Sequence, residues 1–92
     1  MIRNFKHKGL RHLFETRKRK RVPPDLARRI SSLLDWLAAA AEVRDLNMPG
    51  FGLHELKGDR TGTWAIKVNK NWRITFRFAA GEAYDVDLED YH

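Results

Sequence analysis

Residues 63–90, "TWAIKVNKNWRITFRFAAGEAYDVDLED", decide the fold. Apolar residues recur in this stretch at every second position. Trp64, Ile66 and Val68 alternate with Ala65 and Lys67. Trp72, Ile74, Phe76 and Phe78 alternate with Arg73, Thr75 and Arg77. Tyr84, Val86 and Leu88 alternate with Asp85, Asp87 and Glu89. A period of two turns one face toward a core and the other toward water, the pattern of an antiparallel sheet covered on one side. The breaks at "NKN" (69–71) and "AAG" (79–81) are short, so the segments form a meander. A three-residue loop at 79–81, with Gly81 left-handed and a bulge beside it, pairs Phe76 with Tyr84 and Ile74 with Val86 on the core face. It sets Arg73 opposite Asp87 on the other face. "HEL" lies in a further candidate strand near residues 53–56.

Upstream the period changes to that of helices. Leu10, Leu13 and Phe14 in "GLRHLFE" predict a short helix over about residues 8–16. "VPPD" opens a second: proline suits a first helical turn, and Asp25 favours the positive end of the helix dipole. Its stripe of Leu26, Ile30, Leu33, Leu34, Leu37 and Ala41 predicts a helix to about Ala41. "IRNFK" reads as a short first strand, and "RKRKR" at 17–21 as a solvated loop. Pro49, Gly50 and Gly52 interrupt regular structure. The expected architecture is α+β: two or three N-terminal helices on a small, mainly antiparallel sheet, one domain over residues 1–92.

There is no cysteine, hence no disulfide framework and no thiolate metal site. No signal peptide is visible, and the longest apolar run is far short of the ~20 residues that span a bilayer. A cytoplasmic protein without membrane contact is expected. The net charge of +6 is unevenly spread. Residues 1–22 carry nine Lys/Arg and one acid, residues 51–77 six and two, and residues 78–92 five acids and no base. Such a basic surface on a small domain suits a polyanion, of which nucleic acid is the commonest.

The polar face of the sheet carries Lys67, Arg73, Thr75, Arg77, Asp85 and Asp87. It is either an ordinary solvated face or a surface for a phosphate backbone. Two features bear on that choice. His54, Lys57, Asp59 and Arg60 crowd the loop "LHELKGDRTGTW" (53–64), and the chain finishes in Asp90, Tyr91 and His92. Cleavage of RNA needs a base for the 2′-hydroxyl, an acid for the leaving 5′-oxygen and cations for the charged phosphorane. His54, His92, Lys57 and Arg73 can fill those roles without metal. The alternation through Leu88 carries the sheet almost to the end, so the last three residues are expected to fold against it beside Arg73. His7 and His12 are expected at the surface, at most as phosphate contacts. The sequence has no phosphate-binding loop, dinucleotide fingerprint or zinc-protease motif.

The ordered string "LKGDR-G-W-I-VN--WRI-F-F--G-AY-V---DYH", with "MIRNFKHKGLRHLFE" and "VPPDLARRISSLLDWLAAA" before it, resembles the HigB-type toxins of the RelE toxin superfamily. The likeness spans essentially the whole chain. It implies a microbial-ribonuclease-like α+β fold and a toxin of a type II toxin–antitoxin system. The implied activity is that of a ribosome-dependent endoribonuclease that cuts mRNA in the A site and so stops translation, with no cofactor. By the same resemblance His54 and His92 match the family's acid–base histidines, and Asp90 and Tyr91 the rest of its C-terminal catalytic group. Lys57 and Arg73 match basic residues near the scissile phosphate; Arg60 and Arg77 join them as expected RNA contacts. The implied partners are a helix-turn-helix (HigA-type) antitoxin, the 70S ribosome with mRNA, and operator DNA only through the antitoxin. A catalytically silent relative that binds RNA or protein is the alternative. A repressor acting alone fits poorly, because no clear two-helix recognition unit is present.

Overall fold

A computed structural model describes residues 1–91. Helix α1 (Lys8–Thr16) and helix α2 (Ala27–Ala39) lie on one face of a four-stranded antiparallel sheet. The strands β1 (His54–Glu55), β2 (Thr63–Lys67), β3 (Trp72–Ala79) and β4 (Glu82–Asp90) are ordered as in the chain. The α+β expectation holds.

Each helix begins for a local reason. His7 caps α1: its Nδ1 accepts the backbone N–H of Leu10 at 3.1 Å. It is therefore a structural cap rather than the surface residue expected, and His12 is half-buried. Gly9 has to be glycine, because a Cβ there would stand 2.3 Å from the Arg21 carbonyl oxygen. Pro24 and Asp25 begin a 3-10 turn (Pro24–Leu26) that leads directly into α2. The second helix stops at Ala39, two residues before the expected Ala41. Ala40 is extended and Ala41 is exposed, because its N–H bonds the Asp45 carboxylate and not a helical carbonyl. That carboxylate belongs to a capping box with Glu42 that starts a further 3-10 turn (Val43–Leu46), which the sequence reading missed.

The core is continuous from helices to sheet. Leu10, Ile30, Leu33, Leu34, Leu37, Ile66, Ile74, Phe76 and Val86 are fully buried in it. Trp64, Trp72 and Phe78 pack against its margin. Arg29 ties α2 to the loop before β1 and to the end of β2, donating to the carbonyls of Gly50 at 3.0 Å and Lys67 at 3.2 Å. The loop at 17–21 is less free than expected: Arg17 donates to Ser31 and Asp35 and sits over the Phe14 ring.

The register of β3 with β4 corrects the sequence reading. The turn has two residues, Ala80 and Gly81, both at positive φ (52° and 77°), with Ala79 opposite Glu82. The bulge sits further along. Phe76 alone faces the span between Tyr84 and Asp87, and Asp85 takes up the surplus at φ 53°. Consequently Arg77 pairs with Tyr84, Thr75 with Asp87, Ile74 with Leu88 and Arg73 with Glu89. The expected pairs Phe76–Tyr84, Ile74–Val86 and Arg73–Asp87 do not form. Ala83, Val86 and Leu88 are the buried residues of β4, and Tyr84 turns away from the core with Arg77. Asn4 holds the bulge from outside, accepting the Asp85 N–H at 3.1 Å and donating to its carboxylate at 2.8 Å. The expected first strand is accordingly two isolated parallel bridges, Ile2 to Ala83 and Phe5 to Val86.

Candidate active site

The registers set out rows of side chains on the open face of the sheet. One row runs His54–Ala65–Thr75–Asp87, the next Lys67–Arg73–Glu89, and on the other side Thr63–Arg77–Tyr84. Residues directly opposite on one face are neighbours, so these rows bring loop, strand and C-terminal chemistry together.

Glu89 is the hub. Its Oε1 accepts from Arg60 Nη1 at 2.8 Å and from Arg73 Nη2 at 3.3 Å. Its Oε2 accepts from Arg60 Nη2 and from the Thr75 hydroxyl, both at 2.6 Å. Thr75 is buried to 2% exposure, the one buried polar side chain among the described residues. The doubly bonded Arg60 holds the Glu89 carboxyl down to about 2 from 4.5, against the opposing effect of burial; Thr75 and Arg73 add to the depression. The same hydrogen bond raises Arg60 further. Since the carboxyl pKa is depressed on folding, this group stabilises the protein above the unfolded value and loses that contribution as pH falls from about 4.5 toward about 2. Denaturant midpoints measured across that window should fall with pH, and Glu89→Gln should flatten the slope; an unchanged slope contradicts the assignment.

Arg73 is differently placed. Its Cζ lies 5.1 Å from the centre of the Tyr91 ring, within cation–π range, and Tyr91 N–H bonds the Asn71 carbonyl at 2.8 Å. Its Nε is buried without a partner among the described residues. The guanidinium thus lies between Glu89 and Tyr91, and among the described residues most of its donors are uncommitted.

His54 is exposed, with Nδ1 2.9 Å from the Gly52 carbonyl. A carbonyl only accepts, so Nδ1 carries the proton and Nε2 of the neutral ring holds the lone pair. That is the atom a general base requires. Arg60 and Arg77 line a polar cleft of about 240 Å³ with Lys6, Asp59, Thr75 and Glu89.

The structure therefore joins Arg60 and Arg73 on Glu89, sets Tyr91 against Arg73, and puts His54 in the row of Thr75. Lys57 stands apart, exposed on the rim beside Glu55 and Thr61. Asp90 ends β4 in register with Trp72, one residue away from the Arg73 row, and is exposed. The expectation that the tail folds beside Arg73 is met by Tyr91; His92 lies outside the described residues. Glu89 was not singled out from the sequence. Its signal was the acid at 89 in the outward phase of the strand, but only the bulge sets that residue opposite Arg73.

Two helices behind a small antiparallel sheet whose open face gathers arginines, a histidine and a tyrosine define a protein of the RelE-like toxin class. Comparison with known proteins agrees. Residues 3–92 match the family described as "RelE-like toxin of type II toxin-antitoxin system HigB". The chain is 49% identical over 92 residues to "Endoribonuclease HigB" of Proteus vulgaris, covering 100% of both chains. It is 32% identical over 93 residues to "Toxin HigB-1" of Vibrio cholerae serotype O1, covering 99% of this chain and 98% of the relative. The chain belongs to the HigB-like toxin family. Membership of a type II system implies an antitoxin partner. No helix among the described residues is long and apolar enough to cross a membrane.

Proposed function

We propose that this protein is an endoribonuclease toxin that cleaves mRNA in the ribosomal A site and thereby halts translation. The observation that carries the reading is the full-length, 49% identity to a relative named as an endoribonuclease. The open sheet face offers chemistry that suits it. In this reading Nε2 of His54 and the imidazole of His92 share the general-base and general-acid roles, with Asp90 and Tyr91 orienting the leaving-group side. Arg73 donates to the phosphorane as charge builds, and Lys57 and Arg77 hold the flanking backbone. The steps need protons and cations only, so no metal is assigned. The 92 residues act as one cytoplasmic domain. A HigA-type antitoxin with a helix-turn-helix keeps it silent, and operator DNA is reached only through that partner.

Induced expression in a bacterium, with primer extension on total mRNA, tests this. Wild-type protein should arrest growth and leave cuts within coding sequence, and His92→Ala should do neither. Intact mRNA under both proteins removes the proposal. Growth arrest that survives both Asp90→Ala and His92→Ala replaces it with a silent, RNA- or protein-binding relative.

A further inference from the structure

Three arrangements on this molecule invite an explanation: the basic groove between α1 and α2, the exposed Trp36 beside Phe51, and the saturated carboxylate of Glu89. The last has the most complete geometry, with four donors on one carboxylate. Two of the arginines expected to meet phosphate are in contact with an internal anion, and they are not held alike. Arg60 is bound through both terminal nitrogens, at 2.8 and 2.6 Å, in the fork geometry a carboxylate prefers. Arg73 gives one longer bond of 3.3 Å and lies against the Tyr91 ring. A phosphate that displaced Glu89 would have to break both Arg60 bonds and strand a carboxylate whose fourth donor, Thr75, is buried in the sheet. A phosphate that approached Arg73 would leave both Arg60 bonds in place, although it meets a side chain only 19% exposed, with Nε buried, against 42% for Arg60.

We propose that Glu89, supported by Thr75, is a positioning residue that makes Arg60 a strut and leaves Arg73 as the working phosphate donor. Arg60 closes the 3-10 turn Gly58–Arg60, whose N-cap is Lys57, so the strut fixes that loop to the sheet as well. The carboxylate acts through the arginines and does not touch RNA. This rests on the RNA-cleaving reading for its effect on rate, though the placement of Arg73 does not.

The test is Glu89→Gln, assayed on ribosomes programmed with a short mRNA. A positioning role predicts that kcat falls by at least about tenfold, as a misplaced donor costs rate. KM should stay within about threefold, since ground-state binding is retained. Arg60→Gln combined with Glu89→Gln should lose no more than the worse single variant. In the free protein, nitrogen-15 NMR should show a dispersed Arg73 Nε–H signal that collapses toward the solvent-exposed average in Glu89→Gln. Thr75→Val keeps the ion pair and should shift kcat in the same direction by less, which covers poor folding of the first variant. Wild-type kcat in both variants overturns the proposal. So does faster cleavage with a lower KM in Glu89→Gln, the mark of a carboxylate that merely stands in the phosphate's place. So does an unmoved Arg73 signal. A wild-type protein that leaves mRNA intact while the Arg73 signal still collapses in the variant counts against the RNA-cleaving reading and supports the positioning.

Discussion

Arg73→Ala should lower the rate of mRNA cleavage by about 10²- to 10³-fold, the range seen when a preorganised donor to a developing negative charge is removed. The effect should fall on kcat. Arg73 has a single bond of 3.3 Å to Glu89 and a buried Nε, so the Nη donors outside that bond are the ones left for charge that develops in the transition state. The loss should not reflect unfolding, because Glu89 keeps both Arg60 bonds and the Thr75 hydroxyl in the variant. Arg73→Lys should recover part of the rate at most: an ammonium keeps the charge but not the planar group that lies on the Tyr91 ring. Single-turnover cleavage with thermal melting on the same samples checks this. A rate within threefold of wild type at unchanged Tm would exclude Arg73 from the reacting phosphate.

The second large effect is on stability. Phe76 is 0% exposed, lies opposite Trp64 on β2, and has the Phe78 ring at 6.5 Å. Phe76→Ala removes most of the side chain at the point where β2, β3 and the bulged β4 meet α2. The expected cost is about 3–5 kcal/mol, from lost transfer energy and from the cavity left behind. A domain of this size has roughly 5–15 kcal/mol in all, so a large part of the molecules should unfold near body temperature. Urea unfolding followed by tryptophan fluorescence gives the number directly. A loss below about 1 kcal/mol would mean that the sheet closes over the gap, contrary to the packing described.

Much of this architecture was readable in the chain because its causes are local. Alternation from Trp64 to Leu88 gave the strands, and the Ile30–Leu33–Leu34–Leu37 stripe gave the second helix. The first helix matches residue for residue at Lys8–Thr16. What escaped was set by partners distant in sequence. The bulge at Asp85 depends on Asn4, 81 residues away, and nothing near position 85 announces it. The role of His7 as a cap depends on where the helix starts, which composition leaves open by a residue or two. At the site, His54, Arg60, Arg73 and Tyr91 were nameable from residue type and from resemblance. That Arg60 and Arg73 differ in their freedom was not, since it follows from which acid faces them. Two residues of register, one from the shorter turn and one from the bulge, exchange Asp87 for Glu89 opposite Arg73.

The bulge also ranks the kinds of genetic change this protein can absorb. With Ala79 opposite Glu82 and no surplus residue, Arg73 would stand opposite Leu88 and Thr75 opposite Val86, and the carboxylates of Asp87 and Glu89 would point into the core. Substitutions at position 85 leave the count of residues intact and alter only the cost of one backbone angle. Loss of a single codon anywhere from 83 to 86 inverts everything after it. Such a deletion, far milder in bulk than Phe76→Ala, would erase the arginine arrangement in one step. A second, compensating codon inserted within the same span would restore it.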